Sequence, residues 1–153
     1  MPSRRTVLAG VVGPTVGSAG CLGVGATDPP HGETWLADYH VYSLHAEAHT
    51  VDVAVRLDGE QVHRESYDVA AYDGDGTVEN GTGYVNDWPR RQGRFVVTAR
   101  LDDGPTRHFD SAASYERDVP CTRVGIRVDE TGRLGIWTTT NCDDLDTTPP
   151  TDE

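Results

Sequence analysis

The chain contains 153 residues, of which 25 are Asp or Glu and 13 are Arg, and it has no Lys. This length suits one domain with its own hydrophobic core and is short for two. The acidic excess argues against nucleic acid and anionic lipid surfaces as partners, because both are bound by clustered Lys or Arg that release counterions from phosphates.

Residues 1–20 have the organisation of a twin-arginine export signal. Arg4 and Arg5 precede an apolar run over residues 7–16, and small residues then lead into Cys21. The run is interrupted by glycine and proline and is too short for a transmembrane helix, which needs ~20 mostly apolar residues. This order is typical of a lipoprotein signal. We therefore predict export and lipidation of Cys21, although Ser18 stands where such signals usually carry an aliphatic residue.

Removal of the signal makes the chain more acidic, since eleven Arg then face 25 acidic residues and leave a formal charge of −14. Mutual repulsion of these charges destabilises a compact state in dilute buffer, whereas the screening length falls to ~3 Å at 1 M salt. The composition therefore indicates a salty environment, and the signal places the mature protein on the outer face of the cell membrane.

The two remaining cysteines, Cys121 and Cys142, form an even pair in an exported chain. Disulfides persist in such compartments, and the spacing fits no C-x-x-C metal or redox motif. We predict a disulfide between them, with two unrelated buried thiols as the alternative.

The mature chain divides into a lipidated tether over residues 21–35, a folded domain over 36–142 and an acidic tail over 143–153. The tether is rich in Gly and Pro, and the tail has too few apolar residues to be buried, so we expect the tail to be disordered. Between them, alternating patterns predict seven strands and a short eighth near residues 83–85. The seven cover residues 38–45, 50–57, 61–68, 93–101, 106–115, 121–128 and 133–140.

Alternation is clearest in the second of these strands, where every second residue from Val51 to Leu57 is apolar. Asp58-Gly59 follows at once and predicts a two-residue hairpin turn. In the return strand the apolar positions change parity, so we expect a bulge near Glu65.

The last hairpin bears on both the disulfide and the fold class. Pairing Val128 with Arg133 carries Cys121 opposite Thr140, close enough to Cys142 for a disulfide. Short strands separated by turn signals about every 8 to 12 residues predict an all-β fold. The expected architecture is an antiparallel immunoglobulin-like β-sandwich of about seven to eight strands.

Four segments, over residues 49–55, 58–62, 93–97 and 101–104, resemble the small immunoglobulin-like lipoproteins of halophilic archaea. The resemblance covers about residues 38–142 together with the export signal. It implies an envelope-tethered β-sandwich and no defined activity, so it bears on fold and location. The chain departs from that pattern at Ser18 and over residues 72–92, which are longer and more aromatic.

Two patterns of metal-binding side chains stand out. His45 and His49 have the i, i+4 spacing that on a helix directs both rings at one ion, but they lie between predicted strands and we interpret them as part of a connection. Asp73, Asp75 and Glu79 are spaced as in a calcium loop, although the glycine comes early and no Glu stands at the twelfth position. Calcium or transition-metal binding is therefore the alternative to a metal-free protein.

No catalytic motif is recognisable, since the chain has no nucleophile elbow, phosphate-binding glycine loop or H-E-x-x-H. We predict a non-enzyme without a cofactor. Asn80 begins an N-x-T sequon, which makes it a glycosylation candidate in an exported chain, with chance occurrence as the alternative.

The predicted connection over residues 72–92 is far longer than the usual ~4–6 residues. It contains Tyr84, Trp88, Arg90 and Arg91, which are residue types that anchor interfaces, and we predict them as partner contacts. In the alternative, Trp88 caps the sandwich core and the arginines pair with acidic neighbours.

Together these patterns predict a lipid-anchored extracytoplasmic domain that acts as a binding or structural module of the cell envelope, with an envelope protein or glycan as its partner. A metal-binding carrier lipoprotein is the alternative.

Overall fold

The structure is a computed structural model that describes residues 31–75 and 80–143. The predictions for the export signal, for lipidation of Cys21, for Glu79 and for most of the acidic tail lie outside these residues. The elements are β1 (Trp35–Ser43), β2 (His49–Leu57), β3 (Glu60–Val69), β4 (Phe95–Leu101), β5 (Thr106–Asp110), α1 (Ser111–Ser114), β6 (Cys121–Val128) and β7 (Leu134–Thr139). No helix in the described part of the chain has the length and hydropathy needed to cross a membrane.

The seven strands form two sheets that share one core. The smaller sheet has the order β1-β6-β7 and the larger has the order β3-β2-β4-β5. Every pair in the larger sheet is antiparallel, as is β6-β7, but β1 pairs with β6 in parallel. The all-β sandwich predicted from the sequence is therefore present, while the purely antiparallel arrangement is wrong at β1. A parallel pair needs a long crossover, and here the whole four-stranded sheet lies between the two strands in sequence.

The alternating apolar residues of β2 and β6 fill the space between the two sheets. Val51, Val53 and Val55 of β2 are buried in the same cluster as Val124 and Ile126 of β6. Each such aliphatic side chain contributes roughly 1.5–3 kcal/mol relative to its exposed state. The residues between them face outward and form the outer surface of each sheet, so the two outer surfaces can differ in chemistry.

The predicted Asp58-Gly59 hairpin turn is confirmed. Asp58 has φ 50° and Gly59 has φ 85°, the left-handed pair that a two-residue type I′ turn requires. The bulge in the return strand lies at Val62, because Val55 pairs with His63 while Arg56 pairs with Gln61, and its prediction near Glu65 is wrong.

Other features also differ from the sequence prediction, among them the first strand, which covers Trp35–Ser43 in place of residues 38–45. The fifth strand stops at Asp110, whose carboxylate accepts a hydrogen bond from the Ala112 amide and caps α1. In the last hairpin Val128 pairs with Leu134 and not with Arg133. The expected eighth strand is a single antiparallel bridge between Val85 and Tyr39 of β1.

The predicted disulfide between Cys121 and Cys142 is present, with the two Cα atoms 6.5 Å apart. It joins the start of β6 to the segment that follows β7, and it packs with Trp35 and Ala37 in a small second cluster. It closes a loop with a sequence separation of 21 residues, which stabilises by roughly 3 kcal/mol in the chain-entropy account.

Candidate functional site

The outer surface of the three-stranded sheet carries a group of aromatic side chains. In β1 the residues Tyr39 and Val41 point into the core, so His40 and Tyr42 point outward. His40 lies in register with Gly125 of β6, which in turn pairs with Trp137 of β7.

Tyr84, from the segment that runs along the open edge of β1, completes the group. We call His40, Tyr42, Tyr84 and Trp137 the aromatic face. Tyr84 is 66% exposed and Trp137 is 41% exposed, and they are the two exposed large hydrophobic side chains among the described residues.

His40 is the centre of the aromatic face. Its ring centroid lies 5.4 Å from that of Tyr42 with the planes nearly parallel, and it meets Tyr84 and Trp137 edge to face at 5.3 and 5.5 Å. Such offset and edge-to-face contacts are favourable aromatic geometries. The four rings therefore hold one another in place, and two of them still present area to solvent.

Gly125 allows Trp137 to lie across the sheet. A Cβ atom built on Gly125 would come within 2.0 Å of the Trp137 indole, which any side chain would displace. The absent side chain thus creates the space in which the indole reaches His40.

An ion pair supports the other end of the aromatic face. The Arg123 guanidinium lies 4.6 Å from the Tyr84 ring centroid and bonds the largely buried Asp38 carboxylate at 3.0 Å. The cation–π contact orients Tyr84, and the ion pair fixes the cation.

Burial lowers the pKa of His40, and the nearby Arg123 acts in the same direction, while Asp38 opposes them. His40 is therefore a neutral imidazole at neutral pH. Its buried Nδ1 has no hydrogen-bond partner among the described residues.

The segment that carries Tyr84 is fastened to the edge of β1. The Asn80 amide nitrogen donates to the Ser43 and Ala70 carbonyls at 2.9 Å each, and Thr82 Oγ1 accepts from the Val41 amide at 2.9 Å. Both polar side chains of the predicted sequon thus hold the loop in place. Glycosylation at Asn80 would replace one of the two N–H hydrogens and so break at least one of the bonds that its amide nitrogen donates.

The four predicted partner contacts do not form one surface. Trp88 is only 7% exposed and belongs to the core, where its Nε1–H donates to the Leu36 carbonyl at 2.8 Å. The structure therefore contradicts its prediction as a partner contact, because its ring fills the interior. It follows the core-capping alternative.

The two arginines of the set are also turned to separate neighbours. Arg91 is paired with Asp58 at 2.6 Å, and Arg90 lies over the Trp35 ring at 5.3 Å. Of the four predicted contacts, only Tyr84 reaches the aromatic face.

The core beside Trp88 contains a buried polar chain that the sequence did not indicate. The Tyr39 hydroxyl bonds His63 Nε2 at 2.7 Å and the Tyr67 hydroxyl at 2.5 Å, and Tyr67 donates to Glu65 at 3.1 Å. Burial raises the pKa of Tyr39 strongly, and the hydrogen bond to Tyr67 adds to the shift. The bulge at Val62 makes this chain, because it turns His63, Glu65 and Tyr67 toward the core.

The outer surface of the four-stranded sheet is charged, in contrast to the aromatic face. Asp52 bonds Arg100 at 2.8 Å and accepts from the Ser66 hydroxyl at 2.6 Å. The Ser66 bond and then the Arg100 ion pair lower the pKa of Asp52. These groups satisfy one another beside a shallow open depression of ≈ 590 Å³ that Arg56 and Arg64 also line.

His45 and His49 lie much closer than their position between two strands suggested. His45 Nδ1 is 2.7 Å from His49 Nε2, and His49 Nδ1 is 2.9 Å from Asp102 Oδ2. His45 lies in the connection between β1 and β2, and His49 begins β2. The two rings meet because the turn after β4 and the segment after β1 converge at the start of β2.

Of the calcium candidates, Asp73 and Asp75 lie in the described part of the chain and belong to no metal-binding cluster there. Asp73 Oδ1 accepts a hydrogen bond from the Asp75 amide at 3.1 Å, across Gly74 with φ 82°. Within residues 31–75 and 80–143, no three His, Cys, Asp or Glu side chains are arranged to hold a metal ion. No protein-family model, curated protein or solved structure matches the chain.

Proposed function

We propose that the protein is a lipid-anchored extracytoplasmic binding module of the cell envelope, built on an immunoglobulin-like β-sandwich, and that its aromatic face binds an envelope glycan. The observation that carries this proposal is the grouping of Tyr84 and Trp137 with His40 and Tyr42 on one sheet surface. Exposing such an aromatic patch to water has a free-energy cost, even in a strongly acidic chain. Exposed aromatic patches commonly mark binding sites.

The chemistry of the aromatic face fits a sugar ring. A pyranose has apolar C–H faces and hydroxyl edges, so its face packs on an exposed indole or phenol ring while its edge needs hydrogen-bond partners. On this surface the Tyr42 hydroxyl and the exposed Arg127 lie beside the rings, and the two residues are in register across β1 and β6. One surface thus offers aromatic rings for the face of a sugar and polar groups for its hydroxyl edge.

The small size of the aromatic face favours a glycan over an envelope protein. A stable protein interface buries ≈ 800 Å² on each partner and involves about 20–30 residues a side. Two exposed and two partly covered rings provide a much smaller apolar platform, which matches one or two sugar units. The net charge of the mature chain also disfavours polyanions such as nucleic acid.

The export signal and Cys21 support the location. Arg4, Arg5 and the following apolar run direct the folded chain outward, and a lipid on Cys21 together with the tether holds the domain beside envelope polysaccharide. In the Cys21→Ser variant we expect release from the membrane fraction with an unchanged melt. Retention of that variant after a high-salt wash would contradict the anchor.

Binding is tested with the untagged mature chain and isolated envelope polysaccharide immobilised on beads. Trp137→Ala and Tyr84→Ala should lose retention while both variants still melt cooperatively, because neither side chain belongs to the core. Arg107→Ala, an exposed change on β5, is the matched control and should be retained.

Treatment of the polysaccharide with periodate opens vicinal diols and should abolish retention of the wild-type protein. Wild-type retention that survives periodate would contradict a glycan partner. Equal retention of wild type and Trp137→Ala would contradict the aromatic face as the binding surface.

A further inference from the structure

His45, His49 and Asp102 form a continuous hydrogen-bonded chain at one end of the sandwich, away from the aromatic face. His49 is the first residue of β2, and Asp102 lies in the turn between β4 and β5 with φ 49°. Asp102 Oδ1 accepts from the Thr50 amide at 2.9 Å while Oδ2 contacts His49. Asp102 is therefore fixed to the start of β2 by two bonds, and it fixes the His49 ring in turn.

Because a carboxylate only accepts hydrogen bonds, Asp102 decides which atom is the donor in each hydrogen bond between these three residues. Asp102 Oδ1 is already an acceptor for the Thr50 amide, and Oδ2 accepts a hydrogen bond from His49 Nδ1–H. This bond leaves His49 Nε2 as an acceptor. His45 Nδ1 then donates to that atom, and His45 Nε2 carries a lone pair.

The two imidazoles meet edge to edge. Their centroids are 4.9 Å apart with planes inclined by 27°, although the facing nitrogens are only 2.7 Å apart. The difference between these distances is about two ring radii, so both nitrogens lie near the line that joins the centroids. His45 and His49 therefore aim Nδ1 and Nε2 at a common point.

We propose that His45 Nδ1 and His49 Nε2 bind a divalent late transition-metal ion, Cu²⁺ more tightly than Zn²⁺, with Asp102 orienting His49 from behind. Imidazole nitrogen is a preferred ligand of both ions, and Cu²⁺ heads the affinity order. A metal-bound His nearly always donates its other N–H to a carboxylate or carbonyl, and the bond from His49 to Asp102 is that arrangement.

Binding requires a small opening of the pair. Metal–nitrogen bonds of ≈ 2.0–2.1 Å at right or tetrahedral angles set the two nitrogens at about 2.9–3.4 Å, so the rings separate by less than about 1 Å and turn their lone pairs to one side. The His45 proton moves through solvent from Nδ1 to Nε2. Two coordinate bonds replace one hydrogen bond.

The two imidazoles are the protein ligands. Glu47 Oε2 is 4.0 Å from His45 Nδ1 on a side chain that is 79% exposed, and it does not complete a three-residue site. An open cleft of ≈ 350 Å³ beside His49 and Asp68 gives solvent access to this end of the sandwich. The acidic surface raises the local concentration of cations, an effect that salt screens.

The test is isothermal titration of the untagged full chain, purified without metal-affinity steps, with CuCl₂ and with ZnCl₂. We expect one ion per chain, tighter for Cu²⁺, and an electron paramagnetic resonance spectrum that shows coupling to two nitrogens. His49→Ala and His45→Ala should weaken Cu²⁺ binding by more than 100-fold. Asp102→Asn, which keeps both ligands, should weaken it by about 10–100-fold.

His31→Ala and His108→Ala are the matched controls, because each removes an exposed histidine and leaves the pair intact. Both should bind Cu²⁺ as wild type does. No stoichiometric binding by wild type, or binding that survives His49→Ala, would overturn the proposal. If a variant fails to fold, the melting temperature of the wild-type protein is measured with and without Cu²⁺. The proposal requires added Cu²⁺ to raise it. An unchanged melt would show that the chain of bonds has only a structural role.

Discussion

Truncation of Trp88 should be among the most destabilising single changes in the domain. The Trp88 ring is buried, lies parallel to the Tyr39 ring at 5.6 Å and meets His63 at 5.8 Å. Truncation of a buried Trp to Ala costs about 3–5 kcal/mol. The Leu36 carbonyl also loses its donor, which adds about 1 kcal/mol. We therefore expect Trp88→Ala to lower the free energy of unfolding by about 4 kcal/mol, out of a typical total of about 5–15.

The assay is urea denaturation at constant molar salt, followed by circular dichroism. Trp88→Phe keeps most of the ring stacking but loses the Nε1–H donor, so it should cost only about 1–2 kcal/mol. Trp137→Ala removes an equally large but partly exposed indole together with its contact to His40, and should cost only about 1–2 kcal/mol. If Trp88→Ala matches wild type, or if Trp137→Ala costs as much as Trp88→Ala, the assignment of one Trp to the core and the other to the surface is wrong.

Three further predictions concern covalent, proton and salt effects. Replacing both Cys121 and Cys142 by Ser should remove roughly 3 kcal/mol from the same urea measurement, and non-reducing peptide mapping should show the cross-link in wild type; two alkylatable thiols in native protein would contradict it. His40 has a folded-state pKa below its unfolded value, so the unfolded state binds more protons and stability falls as pH drops below about 6.5 toward the lowered folded-state pKa. His40→Gln should flatten that part of the plot of stability against pH. The lowered pKa values of Asp52 and Asp129 predict a separate loss of stability below about pH 4, which the variant should retain. If the plots for the variant and the wild type run parallel throughout, the role of His40 is refuted. Dilution of salt from ~1 M to ~0.01 M lengthens the screening length from ~3 to ~30 Å, so the melting temperature should fall, and a salt-independent melt would remove the inference of a salty habitat.

Local patterns predicted the elements whose physics is local. Alternation placed β2 and β6 closely, and Asp58-Gly59 produced its turn because both residues tolerate positive φ. The disulfide followed from an even pair of cysteines in a chain with a predicted export signal. Each of these features depends on neighbours in sequence or on composition alone.

Features that depend on distant pairing were not predictable from the sequence. The parallel pairing of β1 with β6 joins strands on either side of the other sheet in the chain, and no local pattern encodes it. His49 and Asp102 are 53 residues apart, and only the convergence of two turns brings them together.

The aromatic face was partly within reach of the sequence. In the last strand Leu134 and Ile136 alternate with Gly135 and Trp137, and this pattern points Trp137 to the face opposite the two aliphatic residues. Its grouping with His40 and Tyr84 requires the sheet order, and the space for its ring requires Gly125 on the adjacent strand.

Intrinsic fluorescence tests the central claim most directly, because only one of the three Trp residues is exposed. Trp35 and Trp88 are buried, so a change on binding reports on Trp137. Titration of the mature protein with soluble envelope oligosaccharides should give a saturable change in emission that is absent in Trp137→Phe, with the signal of Trp35 and Trp88 unchanged. The contradicting result is a wild-type emission that stays constant when the oligosaccharides are added, although beads carrying the same polysaccharide retain the protein. Binding would then not occur at the aromatic face.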